Sequence, residues 1–240
     1  MNEYMQLIHD LDIYEGFDPS RWPVDLQGWN GYDPIFERLI KKVNPSLIIE
    51  VGTWKGQSAI NMAKILEKNK IDCKIICVDT WLGSSAHRLP LDFVHRDHGN
   101  KTNICTYSAH GYPHLYYQFL SNVVNTGVSK YIIPLPFTSS AASIFLDKHN
   151  IKADLIYIDG AHDCKSVYDD ISTYYPLLRD ENSIIFGDDY PFDCYSEPLT
   201  GVEGGFQGVA SALTSFMKHN NIKRERILID RPKWCLYNSQ

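Results

Sequence analysis

Three carboxylates close two successive apolar runs. Leu155-Ile156-Tyr157-Ile158 ends in Asp159, and Ser183-Ile184-Ile185-Phe186-Gly187 ends in Asp188 and Asp189. One helical stretch, with Val167, Ile171, Tyr174 and Leu178 on a shared face, joins the two runs. Strands joined by a single crossover are usually neighbours, so the three acids are expected at one edge of one crevice. Carboxylates that close repel one another unless a cation intervenes. Hard oxygen ligands suit Mg²⁺, and Mn²⁺ or Ca²⁺ less specifically. Solvated loop acids are the plainer alternative. His162, three residues past Asp159, has an imidazole whose ordinary pKa of about 6.5 lets it take a proton near neutrality. The alternative for His162 is a helix-start or core histidine.

A second constellation lies upstream. The run Leu47-Ile48-Ile49-Glu50-Val51 leads into Gly52-Thr53-Trp54-Lys55-Gly56, and then into the helical run Ser58–Leu66. That is a buried strand feeding a tight turn into a helix. Gly52 admits a backbone conformation that a side chain would forbid. A nucleotide-like ligand commonly sits over such a turn, at the carboxyl ends of the strands. Asp79 ends the next apolar run, Ile75-Ile76-Cys77-Val78. An acid one strand–helix–strand unit past a glycine turn is placed to accept hydrogen bonds from both ribose hydroxyls of an adenosine. Glu50, at the end of the first run, could brace the loop or meet a cationic ligand, and a purely structural role is the alternative.

These residues need elements to hold them. Strands are predicted at 47–51, 74–78, 131–135, 154–158, 183–187, 226–230 and 234–237. Helices are predicted at 58–68, 113–126, 139–149, 164–178 and 206–220, with a further one opened by Asp33-Pro34 and stopped by Asn44-Pro45. Strands alternating with helices predict an α/β, doubly wound and mostly parallel sheet of seven strands. Only Arg231-Pro232-Lys233 separates the last two strands, too few residues for a helix, so they are expected to form an antiparallel hairpin. Residues 81–112, rich in histidine and aromatics, break the rhythm and are expected to cover the site as an inserted lid. The pairs His95/His98 and His110/His114 lack cysteine partners and do not make a zinc site. The expected organisation is one domain over 1–240, with an N-terminal helical cap to residue 45 and the sheet from 46 onward.

The chain has 240 residues, 44% hydrophobic and 22% charged, with a net charge of −6. That balance argues against nucleic acid as a partner, since phosphates attract basic surfaces. No apolar run reaches the roughly 20 residues that span a bilayer, so no membrane partner is expected. The six cysteines have no C-x-x-C spacing, and a reduced, cytoplasmic protein is the expectation. Self-association is left open by the sequence.

Together these motifs resemble class I S-adenosylmethionine-dependent methyltransferases over about residues 28–238. The turn Glu50-x-Gly52-x-x-x-Gly56-x-Ser58, with Trp54 where the broad superfamily has its middle glycine, is similar to that of the metal-dependent, catechol-type O-methyltransferases. The segments Ile158–His162, Gly187–Tyr190 and Asp79-Thr80-Trp81 resemble a branch that includes macrocin-type sugar O-methyltransferases and the so-called cephalosporin hydroxylase proteins. The resemblance implies that S-adenosyl-L-methionine is bound by Glu50, Gly52, Thr53, Trp54, Gly56, Ser58, Asp79, Thr80, Ser139 and Asp159. It further implies a metal held by Asp159, Asp188 and Asp189. His162 stands where the catechol-type enzymes place a lysine as base, with Asp159 beside it in the catalytic pair. The implied reaction is methyl transfer to a hydroxyl of a small-molecule acceptor such as a sugar, a phenol or a natural product. A metal-dependent hydroxylase-like enzyme and a non-catalytic S-adenosylmethionine-binding accessory protein are the alternatives.

Overall fold

The computed structural model describes residues 2–83, 108–110, 112–191 and 206–238. The strands are β1 (Leu47–Val51), β2 (Lys74–Val78), β3 (Ser108–Ala109), β4 (Tyr112–Pro113), β5 (Ile132–Leu135), β6 (Leu155–Ile158), β7 (Ile184–Gly187), β8 (Ile227–Asp230) and β9 (Lys233–Tyr237). The helices are α1 (Glu3–His9), α2 (Ile35–Val43), α3 (Gln57–Asn69), α4 (Leu115–Asn125), α5 (Ser139–Lys148), α6 (Cys164–Tyr174) and α7 (Phe206–His219).

Seven strands form one sheet in the order β5-β2-β1-β6-β7-β9-β8, and β3 with β4 makes a separate two-stranded ribbon. The first five strands of that order run parallel, and β9 pairs antiparallel with both β7 and β8. Parallel strands covered on both faces need side chains that are apolar in both directions. Every residue of β1, β5, β6 and β7 is buried accordingly. Ile48, Ile75, Leu155 and Ile184 face one apolar layer, built with α2, α3 and α4. Ile49, Ile76, Ile156 and Ile185 face the other, built with α1, α5, α6 and α7.

The terminal hairpin forms as expected, and its antiparallel register sets Trp234 across from Gly187. Gly187 is required there, because a Cβ would stand 2.5 Å from the Trp234 ring and 2.6 Å from the Ile158 carbonyl oxygen. The helix α1 falls in the N-terminal stretch expected to be helical, though no helix was placed at those residues. It buries Met5 against the second layer. Within 81–112, Trp81 is buried and its indole N–H donates to the Trp54 carbonyl at 2.8 Å. Residues 84–107, on which the lid expectation mainly rests, lie outside the described residues.

Candidate active site

The strand order reverses between β1 and β6, which lead to opposite halves of the sheet. Ligands of doubly wound sheets bind at such a switch point, outside the carboxyl ends of the strands. Here that point is where the glycine turn meets the acidic edge. Gly52 takes φ +89°, and a Cβ on it would lie 2.1 Å from the Asp159 carbonyl oxygen. Glycine is thus required twice, by conformation and by the closeness of the neighbouring strand end.

The turn is held from behind. Asp79 accepts hydrogen bonds from the backbone N–H groups of Trp54 at 2.8 Å and Trp81 at 2.7 Å, so it braces the turn it was expected to serve. Burial pushes its pKa up. Thr80 accepts a bond from the Leu82 N–H at 3.2 Å. Glu50 is fully buried and accepts hydrogen bonds from the Ser58 hydroxyl and, at 3.8 Å, from the Cys77 thiol. Both contacts tie β1 to the start of α3 and the end of β2. Thr53 is buried in the turn. Gly56 takes φ +85° as the residue before α3. Ser139 opens α5 behind the Thr138 cap, and its hydroxyl donates to Asp170.

A strap from the N-terminal segment crosses this turn. Lys55 pairs with Asp25 at 2.6 Å, the Trp54 indole donates to Gln27 at 3.1 Å, and Gln57 donates to the Leu26 carbonyl at 2.6 Å. Asn122 of α4 donates to the carbonyls of Asp25 and Lys55 at 2.7 and 2.8 Å.

At the acidic edge the structure regroups the expected trio. Asp159, His162 and Asp189 present ligand atoms that all lie within 4.8 Å of one another. The His162 Nε2 is 2.8 Å from the Asp189 carboxylate, which raises the imidazole pKa above its ordinary value. The cap of α6 is Asp163, bonded to the Ser166 N–H at 2.9 Å. His162 precedes that cap and is half exposed toward the cleft. Asp188 lines the same small cavity as Asp159 and Asp189 but is also held by the neighbouring strand. Its Oδ2 is 2.7 Å from the Lys233 ammonium and 3.2 Å from Asn30 Nδ2, while its Oδ1 accepts the Asp189 N–H at 2.8 Å. Lys233 also donates to the Tyr157 hydroxyl at 2.7 Å, and Tyr157 donates to Asp159 at 2.9 Å. Burial, reinforced by the Asp188 charge, holds the Asp159 carboxyl well above the usual range.

Lys233, Tyr157 and Asn30 were not singled out in the sequence. Lys233 carried no signal there: the sequence leaves it in the three-residue link before the last strand, and its place across from the residue after Gly187 follows only from the pairing of β9 with β7. Asn30, far off in the chain and in no regular element, carried none.

The cluster fits a divalent cation on chemistry of its own. Asp159 and Asp189 offer oxygens, and a cavity of about 10 Å³ beside them has room for one water-sized guest. Trp234 lines that cavity, and its indole Nε1 is buried without a hydrogen-bond partner among the described residues. An unmet donor of this kind asks for an oxygen guest.

Residues 49–190 match a family model described as a methyltransferase domain. Among solved structures, the chain is similar to the O-methyltransferase NovP, at 18% identity over 86% of this chain and 78% of that one, with a TM-score of 0.57. The O-methyltransferase TomG from Streptomyces achromogenes, solved with SAM, is 12% identical over 99% of both chains, with a TM-score of 0.55. An O-methyltransferase from Bacillus cereus in complex with SAH is 10% identical over 99% of this chain and 91% of that one, with a TM-score of 0.53. At such identities the likeness is one of fold. No curated protein matches the chain.

Proposed function

From the premise that this chain belongs to the methyltransferase domain family and has the class I fold, we propose that it transfers a methyl group from S-adenosylmethionine to a hydroxyl of a small molecule, with a divalent cation at its acidic edge. The observation that carries this is the contact between the two halves of the site. The turn that receives the methyl donor touches, at Gly52, the backbone of Asp159, whose side chain belongs to the half that receives the acceptor.

When bound, S-adenosylmethionine supplies the methyl group, and a cation lowers the pKa of the acceptor hydroxyl much as metals do for bound water. The rest falls to the chain. Asp79, at the carboxyl end of β2 beside the glycine turn, is the carboxylate placed to meet the ribose hydroxyls. Asp159 and Asp189 supply the oxygens for the cation. Asp189 fixes His162 by taking its Nε2–H, which leaves Nδ1 as the basic nitrogen for the acceptor's proton. The strap at residues 25–31 helps to wall the turn, and positioning of this kind supplies a large part of the acceleration in a methyl transfer.

The test is methyl transfer from labelled S-adenosylmethionine to a panel of sugar, phenol and natural-product alcohols, with and without chelator. Transfer that requires Mg²⁺ or Mn²⁺ is expected. Full turnover in excess chelator would remove the cation from the mechanism, and no transfer to any alcohol would remove the hydroxyl acceptor.

A further inference from the structure

Resting on the cation reading above, we propose that Lys233 is a resident cation of the active site. It occupies Asp188 permanently, so that an exchangeable metal is held by Asp159 and Asp189 without Asp188. Asp188 and Lys233 are 4% and 0% exposed, and their contact is 2.7 Å. An ammonium taken fully out of water needs partners on every side. Lys233 finds a carboxylate, a phenol hydroxyl and two aromatic faces, with its Nζ 4.9 Å from the Tyr157 ring centre and 5.1 Å from that of Phe36. For a metal to take Asp188, it would have to strip this buried ammonium of its only described ion-pair partner. Asp188 is also engaged at both oxygens, Oδ2 accepting from Asn30 and Oδ1 from the Asp189 N–H.

The same lysine reaches the metal half of the site indirectly. Through Tyr157 it orients Asp159, as an outer partner orients a ligand. Lys233 is therefore a positioning residue. It neutralises Asp188, one of the three carboxylates that line the cavity, and leaves the charge of Asp159 and Asp189 to the metal.

Mn²⁺ titration followed by electron paramagnetic resonance tests this. Asp189→Asn should weaken Mn²⁺ binding by about tenfold or more, whereas the double variant Lys233→Met/Asp188→Leu, which removes a neutral pair, should stay within about threefold of wild type. Lys233→Met alone frees the Asp188 charge and should tighten Mn²⁺ by about tenfold or more. A double variant that loses as much affinity as Asp189→Asn, while folded by circular dichroism, would make Asp188 a ligand and overturn the assignment. A second measurement needs no variant. In ¹⁵N-lysine spectra of the wild-type protein, the slowly exchanging Lys233 ammonium signal should persist at Mg²⁺ saturation. Its loss would mean that the metal displaces Lys233 from Asp188, which also overturns the assignment. Absence of any Mn²⁺ binding to wild type would overturn the parent cation reading together with this one, which separates the two failures.

Discussion

Replacing Asp79 with asparagine keeps one acceptor for the backbone and removes the charge that a ribose would use. A charge-assisted hydrogen bond is worth roughly 1.5–3 kcal/mol, so S-adenosylmethionine affinity should fall by about tenfold to a hundredfold. Unchanged affinity by calorimetry would take Asp79 out of the cofactor seat. His162→Ala should do the opposite. It should leave cofactor affinity alone and lower the single-turnover rate by about 10²–10⁴-fold. Because Asp163, and not His162, caps α6, the melting temperature of that variant should hold. A normal rate would end its role as base. Asp79 was singled out because it follows directly on β2, and His162 because it follows three residues after Asp159 at the end of β6. Glu50 stood near a strand's end too, yet its partners turned out to be Ser58 and Cys77. Which way a strand-end side chain points is decided by packing, not by its place in the pattern.

The elements were legible for a simple reason. Strands buried on both faces read as unbroken apolar runs, and the predicted bounds of the seven strands agree with the observed ones within a residue. The helix α1 escaped because seven residues with one buried side chain, Met5, leave almost no periodic trace. The hairpin was legible as a hairpin, and its chemical cargo was not, since cross-strand register appears only once the partner strand is known. Gly187 governs that register. Gly187→Ala would drive a methyl group into the Trp234 ring and the Ile158 carbonyl, and a carbonyl in a parallel strand cannot yield. A loss of about 2–3 kcal/mol or more is expected, measured as a lower midpoint in urea. A midpoint equal to wild type would mean that β9 moves freely against β7.

For the molecule as a whole, the buried acids set an unusual dependence on pH. Burial raises the Glu50 carboxyl to about 7 and that of Asp170 to about 6, and it raises Asp159 and Asp188 as well. A carboxyl whose pKa is higher folded than unfolded holds its proton more tightly in the native state. Its contribution is complete below its unfolded pKa and disappears as pH rises through its folded one. Stability of the ligand-free protein should therefore decline between about pH 4.5 and 8, with Glu50 alone accounting for at most about 3–4 kcal/mol. Calorimetric melts of wild type and Glu50→Gln across that range check this. The variant should show the shallower decline, and parallel curves would remove Glu50 as a cause.

The hairpin that delivers Lys233 comes last among the strands in chain order, and this has a consequence for the protein during its own synthesis. At about 5–20 residues per second, the glycine turn and Asp79 leave the ribosome many seconds before β9 exists. In the last part of that interval, after β7 is made, Asp188 has no Lys233 to face and β7 has no β9 beside it. Arrival of the final strand places β9 between β7 and β8 and brings Lys233 to Asp188 in one step.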